Sequence, residues 1–141
     1  FEAGWPRARM LDELMKSLVE PTFEQPTLLT RYPAETTPLA KRTSDDPRYV
    51  ARFEPFVCGM ELGNGYTELN DPIDQRQLLG EQMKGGATVA HPMDEDFLRA
   101  LEHGMPPAGG MGLGIDRLTM VLTDTTSIRE VILFPQLRGP A

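Results

Sequence analysis

Apolar positions along this chain change their period several times, and each change marks an element. Between Trp5 and Glu20, the residues Met10, Leu11, Leu14, Met15 and Leu18 recur at helical spacing. Pro6 suits a first turn and Pro21 ends the run, so the pattern predicts an amphipathic helix. Thr27 to Tyr32 reads as a strand stopped by Pro33, and residues 34 to 48 mix Thr, Ser, Pro and charges of both signs, as an exposed loop does. Val50 to Val57 and Met60 to Leu69 predict two strands joined at Cys58-Gly59, an antiparallel hairpin. Asn70-Asp71-Pro72 opens a helix with Ile73, Leu78, Leu79 and Met83 on its apolar face, stopped by Gly85-Gly86. Residues 86 to 92 read as a mobile loop. Asp94 caps a short helix that ends at His103 and Gly104. A glycine-rich strand, a helix over 116 to 123 and a turn at Ser127 to Glu130 come next. Val131 to Phe134 reads as a last apolar strand, ended by Pro135. The hairpin and the missing βαβ rhythm predict an α+β fold, an antiparallel sheet with flanking helices, and not a doubly wound parallel sheet.

The glycine-rich strand is unusual in composition. Gly110, Gly112 and Gly114 fall at every second position, which strips the side chains from one face. Met111, Leu113 and Ile115 occupy the other face and are expected to pack on a helix. A strand with one bare face is intrinsically weak, and the usual reason for one is close approach of a flat group or another backbone. Arg117 follows where strand becomes helix, near backbone N–H groups that favour anions. A bare platform ending in a cation suits a nucleotide; a tight glycine turn with a structural arginine is the other reading. Neither GxGxxG nor a Gly-Lys-Ser/Thr sequence is present, so the dinucleotide and P-loop readings are poor.

The hairpin is dense with acid. Asn64, Tyr66 and Glu68 share one face by period two, and Glu61 is out of step by one. A bulge near Gly63 or Gly65 would bring all four to one side, with Glu54 across the hairpin from Glu61. Two adjacent carboxylates repel unless a proton or a divalent cation lies between them, and magnesium shared with a polyphosphate would suit. Glu68, with Asn64 and Tyr66, would form a polar pocket for a cationic substrate group. A solvated acidic face is the alternative.

Composition narrows this further. Hydrophobic content of 40% and charged content of 25% are ordinary for a globular chain. No apolar run approaches the length of a membrane span, and none reads as a signal peptide. Cys58 is the only cysteine, so no internal disulfide forms, as expected of a cytoplasmic protein. One cysteine and two histidines make a zinc site a poor expectation, and a net charge of −7 argues against this piece gripping nucleic acid by itself. The chain opens on Phe1 and not on methionine, which raises processing or truncation as an expectation.

The run from Arg52-Phe53-Glu54 through Met60-Glu61-Leu62-Gly63-Asn64-Gly65-Tyr66-Thr67-Glu68-Leu69-Asn70-Asp71-Pro72 resembles the amino-acid-binding segment of bacterial-type class II lysyl-tRNA synthetases. Gly109 to Arg117 is similar to their motif 3, and Ser127 to Pro135 to their C-terminal end. Motif 3 marks the class; the Glu68-Leu69-Asn70-Asp71-Pro72 run points to lysine. The resemblance implies ATP as substrate and Mg2+ as cofactor, with Glu54 and Glu61 holding the metal at the ATP phosphates. It assigns Asn64 to the lysine carboxylate region, Tyr66 to its aliphatic chain and Glu68 to its ε-ammonium. It places Arg117 over the adenine and toward the γ-phosphate, as the catalytic arginine, and Gly112 and Gly114 under the adenine. The implied reaction is attack of the lysine carboxylate on the α-phosphate, giving lysyl-adenylate, then transfer to tRNA(Lys).

Motif 1, motif 2 and the family's N-terminal OB-fold have no counterpart in this chain. Residues 1–141 are therefore expected to form part of one catalytic domain, with the hairpin 50–69 as amino-acid and metal site and 109–123 as motif 3. The complete protein is expected to be a homodimer that meets tRNA(Lys) through parts outside this chain, and this chain alone to be inactive. The competing expectations are a paralogue that ligates lysine to a protein or lipid, and an inactive fragment that binds ATP or a partner chain.

Overall fold

A computed structural model describes residues 4–84 and 93–136. The loop expected at 86 to 92 and the Gly85-Gly86 stop lie outside the described residues. Helix α1 spans Arg7–Leu14. It widens into a π turn over Met15–Val19 and then tightens into a 3-10 turn over Glu20–Thr22. The expected helix is thus present but does not stay α-helical to its end. Pro21 removes the N–H that would continue the ladder, and the last carbonyls find other partners.

The sheet is antiparallel. Strand β1 is Thr27–Pro33, β2 Tyr49–Val57, β3 Met60–Glu61, β4 Gly63–Thr67 and β5 Gly109–Leu113. Their order is β1-β2-β4-β5, with β3 also paired to β2. The hairpin turns at Cys58 and Gly59, with φ of 50° and 70°, the left-handed pair that matches the natural twist of the strands. Gly59 donates its N–H to the carbonyl of Phe23 at 2.8 Å, and Phe23 meets Phe56 edge-on at 5.2 Å, which ties the N-terminal turns to the hairpin.

Helix α2, Pro72–Lys84, starts where expected; the Asp71 carboxylate accepts from the N–H groups of Ile73 and Asp74. Only half of its expected apolar face is covered: Leu78 and Leu79 are partly buried, on the side of Gln75. Ile73 is 78% exposed and Met83 also faces outward, while Gln75 is buried and donates Nε2 to the carbonyl of Pro38 at 3.0 Å. Two residues along a helix is about 200°, so burying Gln75 turns Ile73 away. Helix α3, Glu95–Glu102, is capped by Asp94 and buries Leu98 and Leu101. Helix α4 covers Ile115–Thr123. Among the described residues no helix is long and apolar enough to cross a membrane.

Two apolar expectations fail. Val131 to Phe134 forms turns and bends, not a strand, and Leu133 and Phe134 are almost fully exposed. A short apolar run specifies burial and not a partner, and no described strand lies beside it to satisfy its backbone. Met111, Leu113 and Ile115 are likewise exposed and not covered by a helix. Strand β5 ends the sheet, and α4 packs on the turn Ile128–Glu130. Met111 instead stands opposite Gly65, beside a shallow depression of about 330 Å³ that Ala51, Phe53 and Thr67 also line.

Gly63 is the position in this sheet where a side chain would run into backbone most closely. A Cβ there would overlap the carbonyl oxygen of Gly112 and lie 3.2 Å from Leu113 Cα, both backbone atoms that cannot move without opening the β4–β5 ladder. Gly63→Ala is expected to destabilise the protein by about 2 kcal/mol or more, the scale of overpacking against groups that cannot yield. Chemical denaturation checks this; an unchanged midpoint would mean that the two strands are not held in this register.

Candidate functional site

The pairing of the hairpin contains one extra residue. Phe56 stands opposite Glu61, whereas Arg52 stands opposite Tyr66 and Phe53 opposite Gly65, so the register shifts by one between β3 and β4. Leu62, which is buried, still keeps the β3 register by donating its N–H to the carbonyl of Pro55 at 2.8 Å, so the shift falls between it and Gly65. A bulge of one residue exchanges faces for everything beyond it. Glu61, opposite Phe56, therefore joins Asn64, Tyr66 and Glu68 on the face that carries Arg52 and Glu54. The expected bulge is present, next to Gly63.

Strand β5 completes this face. Asn64 pairs with Gly112 and Tyr66 with Gly110, so the bare side of the glycine strand continues the surface on which these side chains stand. A Cβ on Gly110 would lie 3.0 Å from Glu68 Oε1, so the Glu68 carboxylate reaches over that glycine. A Cβ on Gly112 would meet only the Asn64 carbonyl, at 4.0 Å, which leaves an open platform. Gly114 lies between the Leu62 carbonyl and the stem of Arg117. Arg117 occupies the first turn of α4 and donates Nη1 to the main-chain carbonyl of Glu61 at 2.8 Å; its Nη1 is 3.3 Å from Glu61 Oε2. The start of α4 has no side-chain cap, so its free N–H groups add to the positive character there.

The acidic residues divide into two groups by their partners. Glu54 is 8% exposed; it accepts from the hydroxyl of Tyr32 through Oε2 and from Nη2 of Arg52 through Oε1. Glu61 pairs with Arg117. The side chains of Glu68, Asn64 and Tyr66 have no hydrogen bond or ion pair among the described residues. Glu68 is therefore a half-buried negative charge with open valence, at one end of the face, and the two engaged carboxylates lie at the other.

Three contributors escape a reading of the sequence. Tyr32 reaches Glu54 from β1, and Arg52 stacks over the Tyr32 ring at 4.7 Å. Burial, and then the hydrogen bond to Glu54, raises the Tyr32 hydroxyl pKa well above that of an ordinary tyrosine. Glu20, in the 3-10 turn after α1, has its carboxyl pKa raised by burial and then by the field of Glu54. Arg52 was legible in principle, because it lies two residues before Glu54 on one strand and so shares its face. Among the described residues no cluster of three or more His, Cys, Asp or Glu forms a ready metal cage.

The sequence pattern of the family described as tRNA synthetases class II (D, K and N) matches residues 6–138. A lysine–tRNA ligase of Moorella thermoacetica is 55% identical over 141 residues, covering 98% of this chain and 29% of that protein. One of Chloroflexus aurantiacus is 54% identical over 97% of this chain and 28% of its own length. One of Bacillus subtilis is 52% identical over 92% of this chain and 26% of its own length. The chain thus spans well under a third of the length of these curated relatives.

Proposed function

The chain belongs to the class II tRNA synthetases (D, K and N), and from that premise we propose that it supplies the amino-acid pocket and part of the ATP site of a lysine–tRNA ligase. The observation that carries lysine, and not aspartate or asparagine, is Glu68. Its half-buried carboxylate has no partner among the described residues and stands on the face of the glycine platform. An unpaired, partly desolvated carboxylate selects a cation, and the lysine ε-ammonium is one. It repels an acidic side chain. Tyr66, one step along β4 on the same face, would line the aliphatic stem, and Asn64 would meet the carboxylate end.

The ATP would lie along the platform of Gly112 and Gly114, with Arg117 at its end. Glu54 and Glu61 fit magnesium by the chemistry of their donors, because both are hard carboxylate oxygens on one face and phosphate oxygens and water can complete the coordination. When bound, the metal would supply charge neutralisation at the phosphates. This chain's residues supply the rest by position. Asn64 and Glu68 hold lysine at its two ends, and Arg117 fixes the nucleotide, so that the carboxylate nucleophile stands near the α-phosphate. As the carboxylate attacks the α-phosphorus, charge passes to the departing pyrophosphate, and a fixed guanidinium at the γ-phosphate offsets it without reorganising. The lysyl group of the adenylate then passes to tRNA(Lys) with release of AMP, in a cytoplasmic homodimer.

The test is amino-acid-dependent exchange of pyrophosphate into ATP by the natural protein. We expect exchange with lysine at a rate at least a hundredfold above that with aspartate or asparagine. Exchange driven by aspartate or asparagine would overturn the assignment of Glu68.

A further inference from the structure

We propose that Tyr32 and Arg52 are positioning residues that clamp Glu54, fixing where its free lone pairs point so that it can serve a divalent cation. The inference rests on the reading of Glu54 as a metal carboxylate. Glu54 is nearly buried, and each of its oxygens takes one hydrogen bond, from different sides of the strand: Tyr32 from β1 and Arg52 from β2 itself. The two donors also hold each other, since the Arg52 guanidinium lies over the Tyr32 ring at 4.7 Å. Arg52 Nε is buried without a partner, so the guanidinium is held by Glu54 and by the ring and not by a full set of acceptors. Each carboxylate oxygen has two lone pairs, so one hydrogen bond apiece orients the group and leaves acceptor capacity on both oxygens. Glu61 has no such clamp. Its partner is the more exposed Arg117.

Groups that orient a metal ligand through a hydrogen bond commonly change metal affinity by 10- to 100-fold when removed. Tyr32→Phe removes only the hydroxyl. Arg52→Lys keeps the charge but loses the planar fork and most of the ring stacking. Both variants are tested in the natural protein with Glu54→Gln as control. Enhanced water-proton relaxation by Mn2+ with ATP and no lysine present reads metal held on the protein. Lysine-dependent pyrophosphate exchange against free Mg2+ gives a second reading. We expect about a tenfold rise in the half-saturating metal concentration for both variants, with the lysine KM unchanged and exchange restored at high metal. If Glu54→Gln shifts the metal requirement and neither clamp variant does, the clamp is wrong and Glu54 acts without it. If Glu54→Gln leaves the requirement unmoved, the metal reading of Glu54 fails, and the clamp with it. A drop in melting temperature with no metal shift would show Tyr32 and Arg52 to be structural and overturn the proposal.

Discussion

Glu68→Gln is expected to weaken lysine binding roughly 30- to 150-fold and to leave ATP binding within about twofold. The scale follows from the worth of a hydrogen bond to a charged group, about 2–3 kcal/mol. It stays below the cost of breaking a fully buried ion pair because Glu68 is only half-buried. Glutamine is nearly isosteric, and the backbone that carries it is fastened on both sides: Glu68 donates its N–H to the Ala108 carbonyl at 3.0 Å and forms a bridge with Ala40. The substitution therefore changes charge and little else. No protein cation among the described residues loses a partner, so any loss belongs to the ligand. Calorimetric titration of the natural protein with lysine and, separately, with ATP decides it. Equal loss for both ligands would make Glu68 a structural residue. Undiminished lysine binding would place the ammonium pocket elsewhere.

How far the sequence could be read depended on whether a feature was local. The face shared by Asn64, Tyr66 and Glu68 follows from period two alone. A bulge near Gly63 or Gly65 would resolve the mismatch of Glu61, and the register does shift between Leu62 and Gly65. The α2 cap, expected at Asn70 or Asp71 and made by Asp71, the cap at Asp94 and the turn at Cys58-Gly59 are set within a few residues and were legible for the same reason. What failed was non-local. Val131 to Phe134 and the Met111 side of β5 have the composition of buried segments, but burial needs a neighbour that composition does not name. Tyr32 reaches Glu54 because β1 slips register between Thr30 and Tyr32, at Arg31 with φ of 61°. Arginine in that conformation has no sequence signature, so the contact could not be anticipated. Period two also predicts that Arg52 shares a face with Glu54, but not that it would be spent on holding it.

Arg117→Ala is expected to lower pyrophosphate exchange by a factor of 100 to 1,000 while leaving the fold intact. These two effects come from different environments of one side chain. In the ligand-free protein Arg117 is half-exposed, and its pairing with Glu61 is of the kind worth about 0–1 kcal/mol in water. Thermal melting should hardly move. In the nucleotide complex the same guanidinium would lie at the end of a platform that water has left, facing phosphoryl oxygens that gain charge during attack. A donor in that position is worth on the order of 3–4 kcal/mol, because the surroundings are already organised when the charge appears. The loss should fall on ATP and on turnover, not on lysine. Removing Arg117 also frees Glu61 from its cation, so metal binding without nucleotide should not weaken. That sign separates a nucleotide arginine from a merely structural one, whose loss would let the Glu61 strand drift and weaken metal and ATP together. The measurements are exchange rate against ATP, lysine KM, melting temperature and Mn2+ binding without nucleotide. An unchanged exchange rate would remove Arg117 from the site. A fall in metal binding that matches the fall in exchange would make it a strut for Glu61, and the platform of Gly112 and Gly114 would then need another residue at its end to hold the phosphates.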